Sequence, residues 1–326
     1  MKGKIYAWFI ALMIGAVIPW ILFSVAEKLA RENLEEPIET TVPQQTDTKT
    51  IIEPDKIQVM KTDGLVVTMD LDDYIVGVVL GEMPVSFDTE ALKAQAVVAR
   101  TYALKRMKAG GKHPQNAVCM ASGCCQSYRS QEDYLKGGGT VEGVEKVNQA
   151  VKATSGQVLL YNGNLIEATY FSCSGGRTED AAAVWGTDIP YLQAQESPGE
   201  EEAAHYVDTI QLSCSELIDK LDLNLTGISE LVIGSATYTE GGGVESILIG
   251  GQQFDGITLR QKLDLRSTAF QITKVGEQII ITTRGFGHRV GMSQYGAEAM
   301  AVKGSRYDEI LAYYYPGTVL SQYSWN

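Results

Sequence analysis

Among the 326 residues, three short stretches combine side chain types able to do chemistry. The first is Val79-Leu80-Gly81-Glu82-Met83-Pro84, in which Glu82 is an acid among apolar neighbours. A carboxyl stripped of hydration holds its proton to higher pH, which suits a general acid near neutrality. Gly81 and Pro84 would fix the backbone around it and leave room for a substrate. A lone glutamate at the end of an apolar run also reads as a cap or a solvated edge, and the pattern alone leaves both open.

The second stretch is Glu167-Ala168-Thr169-Tyr170-Phe171-Ser172-Cys173-Ser174-Gly175-Gly176, followed by Trp185-Gly186 and Pro190-Tyr191-Leu192. In an extended strand the two-residue period puts Tyr170 and Ser172 on one side and Cys173 on the other. Tyr170 would line a groove and stack on a sugar or bond to it. Cys173 with His288 as base would be a thiol nucleophile, but its facing and the habit of free cysteines to behave as small buried hydrophobes favour a structural thiol. The third stretch is Gly285-Phe286-Gly287-His288-Arg289-Val290-Gly291, a glycine-rich turn ahead of a helix from about Ser293. His288 there would contact substrate, orient Glu82 or satisfy buried backbone groups, with Ser293, Gln294 and Tyr295 as polar neighbours. The following helix lacks a Walker lysine, so phosphate binding is not indicated.

A fourth cluster looks metallic. His113-x5-Cys119-x4-Cys124-Cys125 offers three thiols and one imidazole, the closed four-ligand set that structural zinc prefers. Adjacent ligands crowd one another, so a set using only one of Cys124 and Cys125 stays open. A disulfide from Cys119 to Cys124 or Cys125 is the alternative in an oxidising compartment. His205 and Cys214 have no such company and read as structural.

Several elements must position these groups. Ile57 to Met69 alternates like two strands around Asp63-Gly64, and the apolar run Tyr74 to Leu80 reads as a strand leading to Glu82. A helix is expected over about 88 to 108, with Asp88 as N-cap, small residues along one side and Gly110-Gly111 as the stop. A second helix is expected at 142 to 154, then a hairpin from Val158 to Phe171 turning at Asn162-Gly163. Residues of about 197 to 275 read as an inserted subdomain, with a helix near Ser213 to Leu223 and strands around Leu231 to Tyr238 and Val244 to Ile249. A strand at 278 to 283 and helices from about Ser293 to Val302 and Tyr307 to Tyr315 close the chain. The fold class is α+β.

The N-terminus sets the compartment. Ile5 to Ala26 carries no charged side chain and, as a helix, spans roughly 33 Å, enough for a bilayer core. Lys2 and Lys4 precede it and acids outnumber bases after it, which leaves the remainder outside the cytoplasm. A cleaved signal peptide ending near Ser24-Val25-Ala26 is the competing reading, disfavoured by the length of the apolar run. The organisation expected is a transmembrane anchor at 1–26, an acidic flexible linker at 27–56 and a catalytic domain at 57–326. The formal net charge of -13 disfavours nucleic acid as a partner, since that affinity rests on cationic side chains.

The runs Leu71 to Pro84, Glu90 to Ala103 and Gly285 to Ala297 closely resemble the stage II sporulation protein D family, over roughly residues 57 to 322. The resemblance implies a membrane-anchored lytic transglycosylase that cuts peptidoglycan glycan strands during forespore engulfment. It implies Glu82 as the catalytic acid and base, Lys93 and Arg100 as polar residues near the groove, and groove roles for Tyr170, Ser172, His288, Ser293, Gln294 and Tyr295. Arg100 also reads as a structural ion pair. Some members of the family carry zinc on a His-x5-Cys-x4-His-Cys pattern, with Cys124 standing here in place of the second histidine. Peptide-stripped glycan is the implied substrate, and a sporulation amidase and other engulfment membrane proteins are the implied partners. The rival is a non-catalytic glycan-binding module or amidase enhancer.

Overall fold

The computed structural model describes residues 55–108 and 112–324. The expected anchor at 1–26, nearly all of the linker and the Gly110-Gly111 helix stop lie outside the described residues. Among those described, no helix is long and apolar enough to cross a membrane.

The first hairpin is β1 (Lys56–Met60) against β2 (Val66–Asp70), antiparallel, with Gly64 at φ 85° in the turn. The chain then enters α1 (Leu71–Glu82), where the sequence suggested a strand. Asp70 accepts a hydrogen bond from the Asp72 amide as N-cap, and Asp72 and Asp73 sit in the first turn, where the helix dipole favours acids. Eight of its residues, from Leu71 and then Tyr74 through Leu80, are buried, so the helix is apolar nearly all round and its sequence loses the amphipathic period. A continuous apolar run cannot separate a buried helix from a buried strand, and here the cap decides.

Helix α2 (Thr89–Lys108) crosses the middle of the main core. Ala91, Ala94, Ala96, Ala99 and Ala103 are all fully buried. Such small side chains let neighbours approach closely. β3 (Val118–Cys119) adds to β1 in parallel, and α3 (Gln131–Lys136) and α4 (Val141–Ala153) follow. β4 (Gln157–Tyr161) and β5 (Asn164–Leu165) form a hairpin through Asn162 and Gly163, both at positive φ. β6 (Tyr170–Phe171) leaves that hairpin, and α5 (Ala181–Trp185) comes next.

A second cluster of buried side chains runs from Cys214 to Ile281. It is built on β7 (Val207–Ser213), α6 (Cys214–Leu221), β8 (Ile233–Tyr238), β9 (Val244–Ile249), β10 (Gln252–Asp255), α7 (Gly256–Leu263), β11 (Phe270–Val275) and β12 (Gln278–Arg284). β12 lies between β11 and β7, so Ile279 and Ile281 extend this cluster past residue 275. The chain returns to the main core through β13 (Met292–Ser293), α8 (Gln294–Val302), α9 (Tyr307–Tyr314) and β14 (Val319–Gln322), which pairs with β4. The architecture is α+β, with several small sheets among helices.

Candidate active site

Glu82 is the last residue of α1, and the Met83 amide closes the final turn on the Val79 carbonyl at 3.0 Å. Its Oε1 accepts a 2.6 Å hydrogen bond from the Ser127 amide. That amide belongs to a strap, residues 126–129, which runs across the helix where Gly77 and Gly81 leave it bare. A Cβ on Gly77 would stand 2.2 Å from the Tyr128 ring, and one on Gly81 would stand 3.0 Å from the Ser127 and Tyr128 backbone. The Arg129 amide bonds the Gly77 carbonyl at 2.9 Å, and Tyr128 stacks on Tyr74 at 5.8 Å. Two helical glycines, each costing up to about 1 kcal/mol relative to alanine, are thus explained by the close approach of the strap.

Tyr170 and Gln294 complete the surroundings of the carboxyl. β6 and β13 pair in parallel, with Tyr170 opposite Met292 and Phe171 opposite Ser293, which puts the start of α8 beside Tyr170. Gly291 makes this possible: it has φ 84°, and a Cβ there would meet the Thr169 carbonyl oxygen at 2.1 Å. The Tyr170 hydroxyl accepts from Gln126 Nε2 at 3.1 Å, and Gln126 Oε1 accepts from the Tyr74 hydroxyl at 3.3 Å. Burial raises the pKa of Glu82, and the Ser127 amide, the Gln294 amide and the Tyr170 hydroxyl only partly offset it. Gln294 Nε2 is buried and completes no hydrogen bond by geometry, although it stands near enough to act on the carboxyl. Burial and the Glu82 charge together push the Tyr170 hydroxyl well above its ordinary range, so it remains a neutral donor. No group acting on Glu82 among the described residues is another carboxylate.

The other sequence candidates divide. Ser293 is buried and caps α8, accepting from the Gly296 amide at 3.2 Å and donating to the Ser172 carbonyl at 3.4 Å. Ser172 also accepts from the Tyr295 amide, and the Tyr295 ring meets Phe87 edge-on at 5.0 Å. These residues frame the site. His288 sits one layer behind Tyr170: its Nδ1 accepts from the Val290 amide at 3.1 Å and its ring bonds the Tyr170 backbone. Burial and the nearby Arg260 cation lower its pKa to about 4, so it is a neutral ring wedged against Phe171 and Trp185. Cys173 is fully buried and donates to Glu200 at 3.0 Å, and burial with that carboxylate drives its pKa up, away from a nucleophile.

Lys93 and Arg100 do not join the cluster. Lys93 pairs with Glu90 at 2.6 Å and lies over the Tyr307 ring. Arg100 is completely buried and spends its guanidinium on Asp72 at 3.0 Å and on the Thr154, Gln157 and Val151 carbonyls. It ties α2 to the start of α1 and the end of α4, which is the structural alternative the sequence left open. His205 meets Phe286 edge-on and Cys214 is buried, consistent with structural roles.

His113, Cys119, Cys124 and Cys125 come together, with their four ligand atoms all within 4.8 Å of one another. Cys124 Sγ lies 3.3 Å from His113 Nε2. The cysteines are free thiols rather than the disulfide that was the alternative. Tetrahedral zinc with Zn–S bonds near 2.3 Å separates its ligands by about 3.7 Å, so a small contraction fits this set around one ion. The cluster could hold a metal, and Cys125 leads directly into Gln126 and Ser127. Those two residues, with Tyr74 and Gly77 of α1, were not singled out in the sequence, whereas Gly81 was, as a neighbour of Glu82. For Gln126 and Ser127 the only signal there was adjacency to the cysteine cluster.

The chain matches known proteins over most of its length. A family model described as stage II sporulation protein, SpoIID, matches residues 60–161. The chain is 39% identical over 275 residues to stage II sporulation protein D of Bacillus subtilis (strain 168), a match covering 82% of this chain and 80% of that protein. The corresponding protein of Bacillus amyloliquefaciens is 38% identical over 275 residues, covering 82% and 79%. A Bacillus subtilis protein named amidase enhancer is 30% identical over 304 residues, covering 76% of this chain and 40% of its own length.

Proposed function

The chain belongs to the stage II sporulation protein D family, and on that premise we propose that it is a lytic transglycosylase acting on peptide-stripped glycan strands of peptidoglycan. The observation that carries the reading is Glu82: a carboxyl with a raised pKa, bonded by one backbone amide with two neutral side chains beside it, and with no second carboxylate among the described residues acting on it. Glycoside hydrolysis by the usual route needs two carboxylates flanking the bond. One suffices when the substrate supplies the nucleophile.

Protonated Glu82 gives its proton to the glycosidic oxygen between N-acetylmuramic acid and N-acetylglucosamine, and the C1–O bond breaks. The Glu82 carboxylate then takes the proton of the muramic C6 hydroxyl, whose oxygen attacks C1 to close a 1,6-anhydro ring. The acid is regenerated and no water is consumed. Burial keeps the proton in place for the first step, and the donors from Ser127, Tyr170 and Gln294 ease the ionised form between the two steps.

In this reading His113, Cys119, Cys124 and Cys125 hold zinc. Four protein ligands leave no open position, so the ion would brace the strap that carries Gln126 and Ser127. The segment Ile5 to Ala26 anchors the chain, the domain works outside the cytoplasm in the septal or engulfing membrane, and an amidase that strips peptides acts with it. A second reading, a glycan-binding module that enhances an amidase, is favoured by the likeness to the relative of that name.

The test mixes the full chain with peptide-free glycan strands and looks for 1,6-anhydro ends by mass spectrometry, with Glu82→Gln alongside. Anhydro ends from the unsubstituted chain alone support the lyase. Ordinary reducing ends mean a hydrolase, and binding without cleavage means the enhancer.

A further inference from the structure

Behind Tyr170 and away from the Glu82 carboxyl, a cavity of about 780 Å³ is walled by Trp185 and His288 on one side and by the end of α7 and its following turn on the other. Trp185 ends α5, where Gly186 at φ 73° turns the chain away, and 45% of its surface is exposed. An open indole face in a cavity is the usual surface for the apolar face of a pyranose. His288 stiffens that wall, because both its nitrogens are engaged with backbone and it carries no charge.

The opposite wall carries two arginines in different situations. Arg266 is spoken for: its Nε pairs with Asp208 at 3.1 Å, and its guanidinium lies over Phe286 at 5.1 Å. Arg260 is half-buried, donates from Nε to the Leu265 carbonyl at 3.3 Å, and has no ion pair among the described residues. Burial alone depresses its pKa, with no acid offsetting it. Asp264, the left-handed cap of α7, lines the same cavity but does not pair with Arg260. A partly desolvated guanidinium without a counterion is costly, and its planar fork fits a carboxylate in two parallel hydrogen bonds.

We propose that this cavity is a saccharide subsite in which Arg260 takes the lactyl carboxylate of a muramic acid residue and Trp185 stacks on its ring. The proposal rests on the glycan reading above and extends it. A peptide joined to the lactyl group turns that carboxylate into a neutral amide, so the subsite selects strands from which peptides have been removed. Tyr170 connects the two places, facing Glu82 with its hydroxyl and His288 with its backbone.

The experiment uses the full chain carrying Glu82→Gln, so that strands are not consumed. It is titrated with peptide-free strands and with the same strands after conversion of the lactyl carboxylates to methylamides. Free carboxylates are expected to bind on the order of tenfold tighter, as one charge-assisted pair predicts. Arg260→Gln should erase that ratio, and Trp185→Ala should weaken both strands alike. Equal affinity for the two strands, or a ratio that survives Arg260→Gln, overturns the proposal. Melting curves check folding. Should Arg260→Gln unfold, Arg260→Lys, which keeps the charge and loses the fork, must lower the ratio, and an unchanged ratio counts against the site. The two readings fail separately. A carboxylate preference in a chain with Glu82 intact that makes no anhydro ends removes the lyase and keeps the subsite, whereas anhydro ends without the preference do the reverse.

Discussion

Two glutamates in this protein are withdrawn from water and treated in opposite ways. Glu200 is 1% exposed and collects donors from Cys173 Sγ, the Ser174 amide and hydroxyl, the Gly175 amide and the Ser197 hydroxyl. Ser197 is held in turn by the Tyr314 hydroxyl at 2.6 Å. Glu82 is half-buried, has one backbone donor, and is otherwise met by Tyr170 and Gln294. A buried carboxylate that gathers this many donors from separate segments serves as a structural node. One that is under-supplied keeps its proton longer and can exchange it. The difference separates a group that holds the fold from a group that can do chemistry.

The first way to break the comparison is Glu82→Gln. Activity should fall by about a thousandfold, the scale of a lost general acid, while the fold is kept. Stability follows from the sign of the shift. A carboxyl whose pKa is raised on folding binds more protons in the native than in the unfolded state, so stability falls as pH rises from the unfolded pKa through the folded one. At neutral pH the amide removes that cost, and the variant should melt no lower than the parent. A clearly lower melting temperature would put Glu82 in the structural class beside Glu200.

Glu200→Gln tests the other side. Its donors would face a group that is itself partly a donor, and the loss should be about 3 kcal/mol in urea unfolding. A variant that unfolds like the parent but loses cleavage would reverse the two assignments. If the His113 to Cys125 quartet holds the proposed metal, a smaller effect comes from stripping it. Chelation, or Cys119→Ser, should cost on the order of 10- to 100-fold in activity, comparable to losing a supporting contact around a site, because the strap bearing the Ser127 amide is loosened. Metal content by elemental analysis, measured with activity, checks it, and full activity without metal would sever the strap from the site.

The smallest effect sharpens the comparison through pH. In the proposed mechanism the acid must be protonated, so cleavage should be lost as pH rises through the Glu82 pKa. Tyr170 lowers that pKa, hence Tyr170→Phe should move the alkaline limb to higher pH, whatever it does to the maximal rate. A limb that moves down or stays would mean that Tyr170 does not touch the titrating group.

Much of the local structure was legible. Asp88 before the long helix, Ser293 before α8, Asn162-Gly163 in a hairpin and the His113 to Cys125 spacing all announce themselves through short-range chemistry. The run Tyr74 to Leu80 misled because a helix buried on nearly every side shows no period of its own, and only the Asp70 cap marked it. Arg100 illustrates the converse: a cation on a helix of small residues looks available for substrate, and only the carbonyls converging from α4 and β4 show that it is used up.

The sequence by itself determined which groups were available: a glutamate beside a glycine in an apolar run, a metal-type quartet, a glycine-rich turn before a capped helix. Whether those groups met was decided by tertiary structure. The Ser127 amide lies 45 positions from Glu82 and reaches it because Gly77 and Gly81 leave a channel for the strap. Gln294 arrives only through the parallel pairing of β13 with β6. Desolvation, which sets the Glu82 proton and neutralises His288, depends on what packs from distant parts of the chain, and no local pattern encodes it.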